Sequence, residues 1–318
     1  MKFKTTAIAM AVAGSVVAPM AVQAEGELYA SARVGLWNND TNGVSELDVK
    51  SFSSRFGGKG ETDLGNGLSA IGRFEWDIDE DVFQIRQRWV GLKGDFGTVK
   101  IGKDYQTFYN FTTSAVDQPW WHSGYNMMEY SGRSDNGLTY SGGSGGIAYG
   151  ATAYFNNDAA GNPTTGEEGV DGIEVGASFA IGNMTLGVAY ADFKGVYRAV
   201  PTPADEDSVV SVSLSGIEMG SANLAVNVQS NDNQEGIVAH LGVGNFYYHV
   251  EIMSNDMATV NYYGTTVGED PISHTIGYTQ SLGRGTSMYY ELFQWDKDTG
   301  NSDDDRTSVM AVLKFDII

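Results

Sequence analysis

The sequence predicts an all-β protein, a sixteen-stranded antiparallel transmembrane β-barrel with an inward-folded constriction loop. Segments of about ten residues alternate between apolar and polar side chains, as barrel strands do when one face meets lipid and the other meets water. The connections between these segments alternate between short and long. The chain has 41 glycines and 17 tyrosines but no cysteine. That composition suits strands and tight turns, and it excludes a disulfide-stapled secreted fold.

The start of the chain has the features of a secretory signal peptide. Two lysines precede an Ala-rich apolar run over 7–22, and small residues precede the end of the segment at Ala24. No later window approaches the roughly eighteen uninterrupted apolar residues of a transmembrane helix. We therefore predict export, with residues 1–24 removed as the signal peptide and residues 25–318 forming the barrel.

The chain is strongly acidic, with 40 acidic and 19 basic residues and a net charge of −21. Nucleic-acid-binding proteins need a basic surface, so this balance excludes nucleic acid as a partner. For any channel that the barrel encloses, the excess of acidic residues favours a weak cation preference. Arginines at the narrowest point could reverse it, because charges more than about 8–10 Å away are screened by salt.

The alternating segments follow one another along the chain. In the first, residues 28–37, Leu28 and Val34 lie on one face and Arg33 lies on the other. The series contains about sixteen segments, the even number expected of a bacterial outer-membrane barrel. The later segments cover residues 46–59, 67–79, 84–94, 98–103, 135–141, 146–156, 172–181, 184–194, 207–216, 221–230, 235–243, 245–254, 273–282, 286–296 and 305–317.

Connection lengths separate a barrel from a soluble alternative. Short turns at 181–183 and 243–245 contrast with long connections at 156–171 and 195–206. Outer-membrane barrels have short periplasmic turns and long external loops. A large exported β-sandwich would also show alternating strands, because one face would meet solvent and the other the core. A sandwich has no reason to sort its loops by length.

Residues 103–134 interrupt the alternation. They show no period of 2 or 3.6, yet they hold eight aromatic residues, a composition that argues against disorder. An irregular segment of this length inside a domain is uncommon and is usually functional. We predict that this loop folds into the barrel and sets the width of its pore.

Several short motifs occur together in the first third of the chain. They are Tyr29-x-x-x-Arg33-Val34-Gly35-Leu36, Ser54-Arg55-Phe56-Gly57-Gly58-Lys59-Gly60-Glu61-Thr62, Arg86-x-x-x-Val90-Gly91-Leu92-Lys93 and Gly102-Lys103-Asp104-Tyr105-x-x-x-Tyr109. In this order the chain resembles the general diffusion porins of Gram-negative bacteria. The resemblance implies a homotrimer in the outer membrane, in contact with lipid and lipopolysaccharide. It also implies passive diffusion of small hydrophilic solutes and ions.

The resemblance also implies a set of pore residues. In that family, acidic residues of the third loop face arginines on the barrel wall. By position, the basic wall comprises Arg33, Arg55, Arg86 and Arg133, with Asp117 as the loop acid and Tyr105 and Tyr109 as the loop tyrosines. The family's second loop acid is missing, and Glu129 is the candidate substitute, without a matching position.

Alternation adds two arginines to this wall. Arg73 and Arg88 lie on or near the face opposite the apolar one, as Arg86 does. Facing lipid at mid-bilayer would cost each about 2–4 kcal/mol, so we expect them to face a wet lumen. The alternative is that some of these arginines only pair with Glu75 or Asp77 and hold the wall together.

Trp120 and Trp121 stand where the family has a Pro-Glu-Phe-Gly-Gly stretch. The pair either packs the loop against the inner wall or forms a stacking platform for sugar rings, as in a saccharide-selective porin. The other four tryptophans are predicted to lie in girdles at the membrane interfaces. They are Trp37, Trp76, Trp89 and Trp295.

Motifs for catalysis and for cofactors fail on inspection. The Gly-rich segment 142–146 joins two strands, whereas a phosphate-binding loop joins a strand to a helix. The Asn/Asp-rich segment that begins at Asn38 has Val49 at its twelfth position, where a calcium loop needs glutamate. A barrel lipase would need a Ser–His pair on the outer barrel face near the membrane rim, whereas His122 and Ser123 lie in the predicted inner loop. We expect no enzymatic activity, no cofactor and no metal.

Overall fold

The computed structural model describes residues 25–41, 43–79, 82–127, 132–155, 169–193, 208–255, 260–262 and 265–317. The predicted signal peptide, Glu129 and most of the long connections 156–171 and 195–206 lie outside these ranges. Within them, no helix is both long enough and apolar enough to cross a membrane.

The described residues form nineteen strands, and most of them belong to one closed antiparallel barrel. In chain order they are β1 Glu25–Thr41, β2 Val44–Ser51, β3 Ser54–Gly65, β4 Leu68–Asp79, β5 Val82–Gly94, β6 Gly97–Tyr105, β7 Arg133–Ser144, β8 Ile147–Phe155, β9 Val170–Ile181, β10 Met184–Phe193, β11 Ser208–Met219, β12 Ala222–Ser230, β13 Gln234–Val243, β14 Phe246–Asn255, β15 Val260–Tyr262, β16 Thr265–Val267, β17 Ile272–Gly283, β18 Thr286–Asp296 and β19 Arg306–Asp316.

Pairing of β1 with β19 closes the barrel, with Ser31 opposite Asp316 and Thr41 opposite Arg306. β2 and β3 both pair with β1, so they are the two halves of one bent strand. The short β15–β16 hairpin is a separate sheet. Within the described residues the barrel therefore has sixteen strands, and the predicted fold class is confirmed.

Side-chain exposure is inverted relative to a soluble protein. In β11, Val210 and Val212 on the outer face are about half exposed, whereas Ser211 and Ser213 on the inner face are buried. Such an apolar outside around a polar inside is what a lipid-facing barrel requires. The exported β-sandwich, which buries its apolar face, is therefore wrong for this chain.

The predicted strand 46–59 is not continuous. It breaks at Phe52 and Ser53, and Ser53 has a positive φ of 60°. Because the break interrupts the alternation, the adjacent side chains of Phe52 and Ser53 both line a cavity inside the barrel. The strand also extends beyond the prediction, to Gly65.

Three of the four tryptophans predicted to lie in interfacial girdles face the lumen instead. Trp37 lies under the amine of Lys50, and Trp295 is buried and donates from Nε1 to a loop residue. Trp89 shares the inner face with its cross-strand partner Arg73. Trp76 remains on the outer face, where it stacks on other aromatic rings. Alternation fixes which face a residue occupies only when the register is known, and composition alone does not provide the register.

Candidate pore constriction

The loop between β6 and β7 lies inside the barrel, as predicted. It contains a short helix, α1 Thr107–Phe111, followed by a 3-10 turn over Thr113–Ala115. The α1 residues Thr107 and Phe108 are buried against the barrel wall. Further along, Val116 packs with wall residues of β12 and β13. The loop therefore covers a large part of the wall from β8 to β19.

A buried glutamate of β18 holds the middle of the loop. Oε1 of Glu291 accepts hydrogen bonds from the backbone N–H groups of Trp120 at 2.6 Å and Trp121 at 3.1 Å. Its Oε2 accepts from the backbone N–H of His122 at 2.9 Å and lies 2.7 Å from Nδ1 of the same histidine. The hydroxyl of Tyr247 also donates to Oε1. One carboxylate thus accepts hydrogen bonds from three consecutive loop N–H groups. Buried backbone N–H groups require such acceptors.

Two further wall glutamates repeat this arrangement. Glu251 of β14 accepts from the backbone N–H groups of Gly124 at 2.5 Å and Asn126 at 2.7 Å. Glu174 of β9 accepts from the backbone N–H of Phe108 at 3.1 Å. Both carboxylates are fully buried. Sequence reasoning missed all three glutamates, although an acidic residue at a lumen-facing strand position is a signal that could have identified them.

Wall glycines make room for the end of α1. The ring of Phe111 lies against Gly150 and Gly176, and a Cβ added at Gly176 would lie 2.6 Å from Cδ2 of that ring. A Cβ added at Gly187 would overlap the carbonyl oxygen of Phe111. Both contacts are closer than a side chain tolerates. The loop can therefore pack against the wall at this point only if these wall positions are glycine.

Replacing Gly187 with alanine is therefore expected to displace α1 from the wall. The added methyl group cannot relax away from a backbone carbonyl without moving the helix. We expect faster cleavage of the loop by added protease and noisier single-channel currents. Gly242→Ala is the matched control, because a Cβ there approaches no atom closer than 4.0 Å. Equal rates of loop cleavage and equal current noise in the two variants would contradict the proposed packing of α1 against Gly187.

On the facing wall, some arginines are paired with carboxylates. Arg86 donates from Nε to Oε1 of Glu75 at 2.7 Å and from Nη1 to Oδ2 of Asp77 at 3.3 Å. Arg73 donates from Nη2 to Oε2 of Glu75 at 2.9 Å and from Nε to the hydroxyl of Tyr29. The wall-pairing alternative from the sequence therefore describes the contacts of these two arginines.

Three other arginines are held by neutral partners. Arg33 and Arg55 donate from Nε to hydroxyls of neighbouring serines, and Arg133 donates to the hydroxyl of Tyr105 at 3.3 Å. Within the described part of the chain, no ion pair includes any of the three. Their charges are therefore not neutralised by a carboxylate in direct contact.

Among the described loop residues, Asp117 is the acid in this region. Oδ2 of Asp117 accepts from the hydroxyl of Tyr109 at 2.6 Å, and Oδ1 accepts from the hydroxyl of Ser123 at 2.7 Å. Burial and the adjoining carboxylate raise the pKa of Tyr109 well above its ordinary value, so its hydroxyl stays protonated as the donor. Tyr109 also stacks on Tyr105, with ring centroids 5.0 Å apart.

These groups meet around one cavity of about 390 Å³ between the loop and the wall. Four of the six predicted arginines line it, together with the predicted loop acid, both tyrosines and both tryptophans. The lining residues from the prediction are Arg33, Arg55, Arg86, Arg133, Tyr105, Tyr109, Asp117, Trp120 and Trp121. Their role in selecting solutes stays a prediction.

Arg88 lies elsewhere, and the expectation that it shares a face with Arg86 is wrong. Glu75 pairs with Gln87 and the next residue of β4 pairs with Ile85, so Arg86 is the extra residue of a β-bulge. A bulge inserts one residue and changes which side chains share a face. Arg88 consequently pairs with Phe74 on the outer face, where its side chain is 65% exposed and lies 3.8 Å from Asp135.

The two loop tryptophans pack against neighbouring aromatic rings. Trp120 stacks on Tyr289 with centroids 4.6 Å apart, and Trp121 meets Phe52 edge to face at 5.0 Å. The guanidinium carbon of Arg33 lies 5.9 Å from the ring centroid of Trp120. These contacts agree with the interpretation that the pair anchors the loop.

The described residues contain no group of three or more His, Cys, Asp or Glu side chains that could hold a metal ion. A closed barrel, an inward loop and an arginine-lined cavity between them define a β-barrel channel of the porin class. The sequence profile of the Gram-negative porin family matches residues 5–309. The chain therefore belongs to the Gram-negative porin family, which confirms the predicted family and the predicted location in the bacterial outer membrane.

Known proteins agree with this assignment. The major outer membrane protein P.IB of Neisseria gonorrhoeae is 32% identical over 142 residues, which is 38% of this chain and 39% of that protein. The corresponding protein of Neisseria lactamica is 33% identical over 101 residues, or 26% and 29% of the two chains. The matched segments thus span less than two-fifths of these relatives' length.

Solved structures share the fold over nearly the whole chain. The anion-selective porin from Comamonas acidovorans has a TM-score of 0.66 at 17% identity and covers 93% of this chain and 100% of its own. The trimer form of OmpT from Vibrio cholerae has a TM-score of 0.67 at 14% identity, with 92% and 99% covered. At this level of identity, the likeness concerns the fold alone.

Proposed function

We propose that the protein is a channel for passive diffusion of small hydrophilic solutes and ions, and that it catalyses no reaction. The observation that carries the proposal is the loop inside the barrel. It narrows an otherwise wide channel to the cavity between the loop and the arginine wall. A barrel of sixteen strands leaves an aqueous channel, and a loop inside it sets the largest solute that passes.

The proposed assembly is a homotrimer in contact with outer-membrane lipid and lipopolysaccharide. The Vibrio cholerae OmpT structure with the same fold is described as a trimer. Apolar side chains such as Leu28 and Val90, both more than 60% exposed, give the outer face the character that lipid or a second subunit would cover. Migration as a heat-sensitive trimer in detergent gels supports this assembly, whereas a monomer in unboiled samples contradicts it.

The charges around the cavity favour anions, contrary to the cation preference that the net charge predicts. Arg33, Arg55 and Arg133 face the cavity without a carboxylate in direct contact, whereas Asp117 is the acid that the described loop residues present to it. The glutamates of the opposite wall are buried under the loop. Since salt screens charges beyond about 8–10 Å, the groups at the narrowest point outweigh the acidic exterior.

Recording from planar bilayers tests both parts of this proposal. We expect stable ohmic channels and, in a KCl gradient, a reversal potential of the sign that chloride preference produces. The positive charges that line the cavity lower the energy of a passing chloride ion and raise the energy of a passing potassium ion. Absence of channels would contradict the diffusion function. Open channels with a potassium preference would contradict only the selectivity.

A saccharide-selective porin is the less favoured candidate. Trp120 already contacts Tyr289 and Arg33, and Trp121 contacts Phe52, so the indoles are committed to packing. A stacking platform needs an aromatic face that is open to the solute. Current block by one oligosaccharide that disappears in Trp120→Ala would favour this candidate over the general pore.

A further inference from the structure

Two of the four histidines have a ring nitrogen that is not used. Nδ1 of His240 and Nδ1 of His249 are buried and have no hydrogen-bond partner among the described residues. His122, by contrast, uses both ring nitrogens, with Nδ1 near Glu291 and Nε2 2.6 Å from Oγ of Ser308. An unpartnered buried acceptor costs about 1–3 kcal/mol and calls for an explanation.

His240 and His249 are neighbours on the lumen wall. They are direct cross-strand partners in the β13–β14 pair, so they share one face. That face is the inner one, because Glu251, two residues after His249, binds the loop. The ring centroids of the two histidines are 5.8 Å apart, and the planes are inclined by 55°.

Glu251 fixes the tautomer of His249. Nε2 of this histidine lies 2.8 Å from Oε1 of Glu251, and a carboxylate accepts, so Nε2 carries the proton. Nδ1 is then left with its lone pair free to bind. Metal-binding histidines commonly donate their other ring N–H to a carboxylate, which orients the ring and strengthens the ligand. His249 therefore already has the second partner that a metal ligand needs.

The separation of the rings fits one shared ion. A metal–nitrogen distance of about 2.0–2.1 Å places each ring centroid about 3.2 Å from the ion, so two centroids can be up to about 6.4 Å apart. The observed 5.8 Å lies within that limit. His240 is partly exposed and lies three residues before the short turn at Val243, so an ion would enter from the periplasmic side.

We propose that His240 and His249 together bind one divalent transition-metal ion through Nδ1 of each ring, with water in the remaining positions. Neutral imidazole suits Cu²⁺ and Zn²⁺, and Cu²⁺ binds more tightly to such ligands. Glu251 links the site to the constriction loop, because the oxygen that bonds His249 also accepts the backbone N–H of Gly124. An ion at this site thus stiffens the wall on which the loop rests.

Copper titration of the untagged, refolded trimer tests the site. We expect about one tightly bound Cu²⁺ per subunit by calorimetry, and a paramagnetic resonance spectrum with hyperfine splitting from two equivalent nitrogens. His240→Ala and His249→Ala should each weaken binding by about tenfold or more, since one of two protein ligands is lost. His240→Ala is the cleaner variant, because His240 makes no contact with the loop among its described interactions.

His274→Ala is the matched control, because His274 lies half-buried on the outer face beside Tyr248. It should bind copper as the unaltered protein does. Heat-modifiable migration of each variant verifies that the barrel is intact. Equal affinity in all three variants, or a spectrum with oxygen ligands only, would show adventitious binding to surface carboxylates and would overturn the proposal. The result of the copper experiment does not depend on whether the channel prefers anions.

Discussion

Replacing Glu291 with glutamine is expected to release the middle of the constriction loop from the barrel wall. The carboxylate accepts from three consecutive backbone N–H groups and from Tyr247, and it is only 2% exposed. Glutamine has the same shape, but one oxygen becomes an NH₂ group, which cannot accept. The N–H groups facing it lose their partner, at a cost on the order of 2–4 kcal/mol for two of them.

Two measurements should report this release. The urea midpoint for unfolding of the refolded barrel should fall, and single-channel conductance should rise or fluctuate as the segment around Trp120 leaves the lumen. Glu61→Gln is the matched control, because Glu61 pairs with Lys93 on an exposed part of the wall. Exposed ion pairs contribute little to stability. A conductance and midpoint unchanged in Glu291→Gln would mean that other contacts suffice to hold the loop.

The barrel itself could be predicted because its signals are repeated. Alternation recurs in every strand, and a misplaced boundary in one segment, such as 46–59, does not change the total. The position of the loop followed from the lack of alternation between β6 and β7. Three arginines that match family motifs were placed correctly on the lumen wall. They are Arg33, Arg55 and Arg86. A motif match assigns a residue to its face of the strand without counting along the strand.

Single-residue irregularities could not be predicted. The bulge at Arg86 reverses the face of every later residue in its strand segment, so counting by twos placed Arg88 inside the barrel when it lies outside. The break at Ser53 likewise interrupts the alternation. Local sequence marks neither site, because both are defined by how the strand pairs with its neighbours.

The loop anchors show a different limit. Glu174, Glu251 and Glu291 read as ordinary charged residues in strands, and their partners are backbone N–H groups of a loop far away in sequence. A backbone donor has no sequence signature, so such a partnership appears only in three dimensions. Net charge is a poor guide to the charge at the pore for a related reason: the carboxylates that hold the loop are buried beneath it, although they count in the total.

Reversing two arginine charges should convert the channel from anion to cation preference. At roughly 6 Å, a unit charge in water changes an ion's energy by about 0.7 kcal/mol, so turning one positive charge into a negative one changes it by about 1.4 kcal/mol. Each substitution therefore raises cation permeability and lowers anion permeability by roughly tenfold each, or about hundredfold in their ratio. The double variant Arg33→Glu, Arg55→Glu should therefore shift the reversal potential past zero, less so at high salt.

Arg88→Glu makes the same change of charge on the outer face and is the control that isolates position from charge. Its side chain is separated from the cavity by the barrel wall, so we expect the reversal potential of the unaltered channel. If Arg88→Glu shifted selectivity as much as the double variant, the net charge of the protein would set the preference, and the arginine wall would not. If neither variant changed it, selectivity would have to arise outside the cavity that the arginines line.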